Sequence, residues 1–283
     1  MINKNSRLAQ EFYESGRLAD CPVYDFHAHM HRLSSIYFPS HSPERMIATM
    51  RRCNVKLTVF CSHYALDYAD YEDRYNLQEA KRFPEYFLAY HSVIPGRTDF
   101  KQMVARIEAN RQYYFGYGEM HADFHATPYT DSAYAPFFEY ADANKLPALL
   151  HTWGYSECSG VDVVRKIAER YPNTTLICGH AFHGDWQHGA EVMRDYPNMM
   201  PELTAVMDDC GAIELLCRVV GSDRILFGVD LPWFDVHHGI GAVLSADISD
   251  DDMRNIFYRN AEKLLEGQGG GSSTRPFRIC SNA

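Results

Sequence analysis

Two histidines one residue apart, in Asp25-Phe26-His27-Ala28-His29, close the first short apolar run of the chain. In an extended backbone alternate side chains share a face. Asp25, His27 and His29 are therefore expected to point the same way, with both imidazoles able to reach one cation. Histidines and carboxylates end other short runs too: Cys61-Ser62-His63, Gly118-Glu119-Met120-His121, Leu150-His151-Thr152-Trp153, Cys178-Gly179-His180 and Gly228-Val229-Asp230. An isolated His-x-His pair is weak evidence, because packed or solvent-facing histidines show the same spacing. Repetition at the ends of so many runs gives it weight. Nitrogen and carboxylate-oxygen donors suit zinc in an open catalytic site, with manganese or iron as alternatives.

The remaining candidates carry more than one reading. Asp230 is followed closely by Pro232, and no helical pattern begins there, so helix capping does not account for it. Beside a metal it can ligate weakly and take a proton from water. His180 can polarise a carbonyl or protonate a leaving group, or be a core histidine; His183, in the loop beyond it, is a candidate to hold a second metal or to orient a ligand. Glu119, expected on one face with Tyr117 and His121, can bridge two metals, ligate one, orient a histidine, or pair with a neighbouring strand. Trp153, Trp186 and Trp233 are expected in loops, where they line a substrate pocket or pack on outer helices. Arg32 and Arg74 can grip a substrate carboxylate or simply be solvated.

The elements that must position these residues alternate between strand and helix along nearly the whole chain. Strands are expected at 22–29, 55–63, 87–95, 115–122, 147–153, 174–180, 198–205 and 224–232. Helices are expected from Ser42-Pro43, at 131–145, at 160–171, and at 249–265 behind a Ser249-x-x-Asp252 capping pattern. Eight strand–helix units in about 250 residues describe an α/β protein of the (β/α)8 TIM-barrel type, whose chemistry sits at the C-terminal strand ends. A doubly wound sheet would carry a glycine-rich turn after its first strand, and Phe26-His27-Ala28-His29-Met30-His31 takes that place. Residues 7–19 form an extra N-terminal helix. Residues 1–266 read as one domain and 267–283 as a Gly/Ser-rich flexible tail.

A formal net charge of −10 argues against nucleic acid or an anionic membrane as partner. No apolar stretch approaches the roughly 20 residues of a membrane span, nor does the N-terminus resemble a signal peptide. The eight cysteines lack a CxxC or repeated spacing, and several, such as Cys61, Cys178 and Cys217, sit inside apolar patterns. Buried reduced thiols in a cytoplasmic protein follow. The partner expected is a small molecule; homo-oligomers are common among such barrels but nothing in the residues encodes one.

Together these residues resemble the amidohydrolase superfamily, in its amidohydrolase-related branch (the amidohydrolase 2 group). The matching pieces are Asp25-Phe26-His27-Ala28-His29, Leu149-Leu150-His151-Thr152-Trp153-Gly154, Cys178-Gly179-His180, the run from Arg224 to Trp233, and Asn255-Ile256-Phe257-Tyr258-Arg259-Asn260-Ala261. The resemblance implies a divalent metal, zinc ahead of manganese or iron, held mononuclear by His27, His29, His151 and Asp230 with His180 close by. It implies hydrolysis of an ester, lactone or amide, with Asp230 as base. The alternative is non-oxidative decarboxylation of an aromatic or enoic acid, as in enzymes similar to aminocarboxymuconate semialdehyde decarboxylase. The superfamily's bridging strand-four lysine is absent and Glu119 stands in its place. A metal-free binding barrel is the reading from another class.

Overall fold

The computed structural model of the chain describes residues 3, 5–67, 73–206 and 209–268. Seven parallel strands form one sheet in chain order: β1 (Val23–Met30), β2 (Val55–Ser62), β3 (Phe87–His91), β4 (Tyr114–Met120), β5 (Ala148–Trp153), β6 (Leu176–His183) and β7 (Met199–Pro201). The eighth expected strand forms no continuous ladder, yet its segment closes the ring. On the β7 side the Leu226 amide donates to the Pro201 carbonyl at 2.9 Å. On the β1 side the Phe26 amide donates to Phe227 at 2.9 Å and the Asp230 amide to His27 at 2.8 Å. Isolated parallel bridges, Glu202 with Leu226 and Ala28 with Leu231, mark the same two seams. The architecture is the (β/α)8 barrel.

The helices start where their caps dictate. Ser42 accepts from the Arg45 amide ahead of Pro43–Cys53, and Ser249 and Asp252 form a reciprocal capping box. The helix expected from residue 131 begins only at Ala135, because Pro128 to Tyr134 is taken up by turns. The final helix is interrupted by a π turn at Asn255–Arg259 and then runs through Asn260–Gln268. Asn260 there donates to the carbonyls of Ser222 and Ile225, both at 2.8 Å, which ties this helix to the entry of the eighth segment. Gly267 is thus helical, and most of the expected tail, 269–283, lies outside the described residues. The extra N-terminal helix is present as Arg7–Ser15, capped by Ser6, with Leu8 and Ala9 buried. The seven described cysteines are free; Cys61 and Cys178 are buried and Cys217 is half-buried. No helix among the described residues is long and apolar enough to cross a membrane.

Two apolar layers hold the barrel. Tyr24, Phe26, Val59, Tyr90, Leu149 and Leu226 are among the side chains filling its interior. A larger layer, including Ala28, Phe60, Tyr117, Cys178 and Phe227, lies between strands and helices. Membership of one layer or the other reports which way each strand residue faces.

Candidate metal centre

The carboxylate of Glu119 is the hub of the barrel's C-terminal end. Its Oε1 lies 3.5 Å from His27 Nε2, 3.0 Å from His151 Nδ1 and 3.6 Å from His180 Nε2, while Oε2 lies 3.3 Å from His29 Nε2. His29 Nε2 is also 3.2 Å from Asp230 Oδ1. Three sets of ligand atoms converge within 4.8 Å: His27, His29 and Asp230; His27, Glu119 and His180; and Glu119, His121 and His151. His151 therefore meets the first set only through Glu119. All of these side chains are buried except His121 and His151, which are half-buried.

Strand irregularities do much of the aiming. Tyr24 and Phe26 face the interior, which leaves Asp25 on the opposite parity. The β1–β2 register then slips between Asp25 and Ala28, so Ala28 and Met30 turn outward and His27 and His29 inward. Asp25 does not join them, contrary to simple alternation: its Oδ1 accepts from the His27 amide at 3.1 Å and the Val229 amide at 3.3 Å. On β4 the register slips between Tyr117 and Met120, at Gly118 with φ +140°. An earlier slip against β3, between Tyr114 and Gly116, has already turned Tyr117 outward under the helices, so Phe115 and Glu119 face inward and Tyr117 does not. On β6 Cys178 faces outward, and regular alternation would send His180 the same way. Instead His180, Ala181 and Phe182 all take left-handed φ values of 63°, 44° and 59°, which swings His180 into the site. Such conformations are costly for residues with a Cβ and collect at functional sites. On β5 and the eighth segment the residue count keeps its parity, bringing in His151 after Leu149 and Asp230 after Leu226, although Asp230 itself takes a left-handed φ of 59°.

Reasoning from sequence missed Glu202, fully buried just past β7. Its Oε2 lies 2.7 Å from His27 Nδ1, and its Oε1 accepts from the Thr204 amide and hydroxyl. Gly228 makes room for it, since a Cβ there would stand 2.0 Å from Glu202 Oε1 and 2.8 Å from His27 Cβ. His121 and His63 were also visible at run ends without being assigned a role. His121 stacks on His151 with ring centroids 3.7 Å apart, and its Nδ1 accepts from the Phe124 amide at 3.2 Å. The signal that finds Glu202 is the one already used, a carboxylate two residues beyond an inward-facing strand residue, here Met200.

The donor set fits a divalent cation. His27 Nε2 and Asp230 Oδ1 are buried with no hydrogen-bond partner. They lie within ion-pair distance of Glu119 and His29 but are not aligned as hydrogen bonds. Ligands at the usual zinc distances sit about 3.3 Å apart, the edge of the coordination tetrahedron, and the 3.3–3.6 Å separations of Glu119 from His27, His29 and His180, with 3.2 Å between His29 and Asp230, match that edge. Among the described residues no lysine or arginine pairs with Glu119, Glu202 or Asp230, so only imidazoles balance three buried carboxylates. Without a metal, protons do this. Burial opposes charge on His27, but Glu202 and Glu119 raise it well above its ordinary range. For His29 burial is outweighed by Cys61, Asp230 and Glu119. Burial likewise opposes the charge of Glu119, yet His27 and hydrogen bonds to His151 and His180 hold it well below the usual carboxylate range. Burial pushes Asp230 up to about 6 against the pull of His29 and His27. Burial and the neighbouring His151 pull His180 down to about 4.

The wall above the centre is aromatic. Trp153 is 39% exposed and stacks on His183 at 4.4 Å. His183 is half-buried beside Asp209, 3.5 Å away, and stays outside the Glu119 cluster. Trp186 opens the helix Trp186–Asp195 instead of lying in a loop, and its indole donates to Asp209 at 2.9 Å. Trp233, 40% exposed, donates to His63 Nε2 at 2.9 Å. Arg32 is exposed just after β1 and makes no hydrogen bond or ion pair among the described residues. Arg74 is exposed at the start of the helix Arg74–Arg82.

The family model described as amidohydrolase matches residues 24–267. The chain belongs to the amidohydrolase family, whose members are metal-dependent enzymes. No curated protein matches it in sequence. Among solved structures it is similar to an uncharacterized TIM-barrel protein of Bordetella bronchiseptica, with TM-score 0.70 at 17% identity over 88% of this chain and 99% of that one. A 2,6-dihydroxybenzoate decarboxylase from Rhizobium superposes with TM-score 0.65 at 14% identity, covering 88% and 100%. A 5-carboxyvanillate decarboxylase from Novosphingobium aromaticivorans, complexed with manganese and a nitrobenzoic acid, gives TM-score 0.67 at 14% identity, covering 87% and 96%. At such identities the likeness establishes the fold.

Proposed function

We propose that the chain is a metal-dependent hydrolase of a small-molecule ester, lactone or amide. The observation carrying this reading is the shared Glu119 carboxylate, with unpaired His27 Nε2 and Asp230 Oδ1 on one side and His151 and His180 on the other. His27, His29, Asp230 and Glu119 would hold a cation, and Glu119, His151 and His180 offer donors for a second. Zn2+ suits these donors best, with Mn2+ or Fe2+ as alternatives. When bound, such a cation lowers the pKa of water toward about 7 and polarises a carbonyl.

The chain's own groups move the proton. Asp230, raised to about 6, is ionised at neutral pH yet basic enough to accept a proton from the attacking water at the carboxylate oxygen it does not offer to the cation. It then returns that proton to the departing alkoxide or amine. His180, pulled down to about 4, stays neutral and can donate an N–H hydrogen bond to the substrate oxygen. Trp153 and His183 provide a flat wall for the rest of the substrate.

Decarboxylation of a small aromatic acid is the second reading, favoured by that flat wall, by exposed Arg32 and by what the similar solved structures are. Hydrolysis ranks first because the wall also carries carboxylates. Asp123 lies 3.9 Å from His151 and Asp209 lies 3.5 Å from His183, and both repel an aromatic carboxylate. The test is a screen of the Zn2+- or Mn2+-loaded protein on esters, lactones, amides and aromatic acids, reading new acid and CO2 separately. Acid without CO2, abolished by chelator, supports hydrolysis; CO2 release overturns it in favour of the lyase.

A further inference from the structure

β2 contributes nothing to the Glu119 cluster, yet its Cys61 and His63, the residue that follows its last one, enclose one member of it. We propose that Cys61 and His63 are positioning residues for His29, an inference that rests on the metal reading above. Cys61 is the register partner of His29 across the β1–β2 ladder, is 1% exposed, and places Sγ 3.1 Å from His29 Nδ1. His63, also 1% exposed, stacks on the face of the His29 ring with centroids 5.0 Å apart and planes 26° apart. Phe38 packs against His63 in turn, at 5.1 Å and 11°.

The hydrogen bonds of His63 settle its protonation by elimination. An indole N–H only donates, so His63 Nε2, 2.9 Å from Trp233 Nε1, presents its lone pair. A carbonyl oxygen only accepts, so Nδ1, 2.9 Å from the His31 oxygen, carries the hydrogen. Neither nitrogen is left to ligate a metal. The ring serves as a flat support, held in place by the loops that follow β1 and the eighth segment. Trp233 is itself anchored, its amide donating to the Asp230 carbonyl at 2.6 Å.

His29 is the group so supported. Its Nε2 faces Asp230 and Glu119, so a cation bound there takes the Nε2 lone pair and leaves the hydrogen on Nδ1, aimed at the Cys61 sulfur. Outer partners of this kind fix tautomer and ring orientation in metal sites. The His27–His29 pair is thus oriented by two different chemistries, a carboxylate from Glu202 behind His27 and a thiol from Cys61 behind His29.

The experiment is Co2+ titration of the chelator-stripped full chain, read by equilibrium dialysis and by the visible ligand-field spectrum. Cys61→Val and His63→Leu fill the volume but remove the hydrogen-bond partner and the flat ring. Each is expected to weaken Co2+ binding about tenfold or more and to alter the spectrum. Cys61→Ser and His63→Phe keep a partner and a ring respectively, and are expected to stay within about threefold of wild type. If Cys61→Val does not fold, Cys61→Ala replaces it. Wild-type affinity and spectrum in the Val and Leu variants overturn the inference. So does equal loss in the Ser and Phe variants, which would reduce the effect to general packing. A wild-type chain that takes up no Co2+ overturns the metal reading itself and this inference with it.

Discussion

The two ends of the barrel interior are built by opposite rules. Toward the N-terminal end, Tyr24, Val59, Leu88, Leu149 and Leu226 enter the interior by plain alternation and make a dry apolar floor. At the C-terminal end three strands break that alternation. A slip on β1 brings in His27 and His29, a slip at Gly118 brings in Glu119, and three left-handed residues bring in His180. The floor holds the ring together, whereas the rim departs from regular structure to gather polar groups that a regular barrel would scatter over both faces. Strain concentrated where function lies is the expected pattern.

If that division holds, substitutions at the rim alter chemistry and substitutions in the floor alter stability. Asp230→Asn removes the proposed base while the remaining donors retain the metal. Turnover is expected to fall by about 10²–10⁴, with metal content unchanged by elemental analysis; wild-type turnover would remove Asp230 from the mechanism. Leu149→Ala in the floor is expected to cost about 2–5 kcal/mol in denaturant unfolding, with metal affinity close to wild type. Gly228→Ala sits between the two regions. Its Cβ collides with the Glu202 carboxylate that braces His27, so metal affinity is expected to fall about 10–100-fold, measured by competition with a chelating dye.

The smallest effect concerns a histidine the rim does not use. His91, at the end of β3, is buried and unpaired at Nε2, with Asp73 3.9 Å away. Burial pulls it down to about 3. The unfolded chain therefore binds a proton below its ordinary value of 6.5 while the folded chain does not, and stability falls as pH drops from 6.5 toward 3. The loss reaches about 2 kcal/mol at pH 5. Urea unfolding at pH 7.5 and pH 5 should show it, and His91→Gln should remove that part of the slope.

Much of this was legible from residue order. Strand ends, spacing and the absence of a glycine-rich turn lead to the barrel, and the polar residues at run ends lead to His27, His29, His151, His180, Asp230 and Glu119 as one neighbourhood. The aim of individual side chains was less so. Counting by twos serves for His151 and Asp230, even though Asp230 itself is left-handed. It misplaces Asp25 and Tyr117, because register slips depend on hydrogen bonding to the neighbouring strand, which a single run does not encode. Glu202 escaped for a similar reason. Its role is defined by His27, 175 positions away, and by the space that Gly228 leaves. Trp233 is another residue whose partner, His63, comes from a distant strand end.

Glu119 joins four imidazoles from three strand ends at the proposed metal centre. The direct measurement is isothermal titration of the chelator-stripped chain with Zn2+, beside Glu119→Gln, which keeps the shape and removes the charge. Saturable binding with proton release is expected in the wild type, because His27 and His29 must give up protons, and affinity at least about 100-fold weaker in the variant. Equal Zn2+ affinity in the two proteins, or no binding by either, would contradict it.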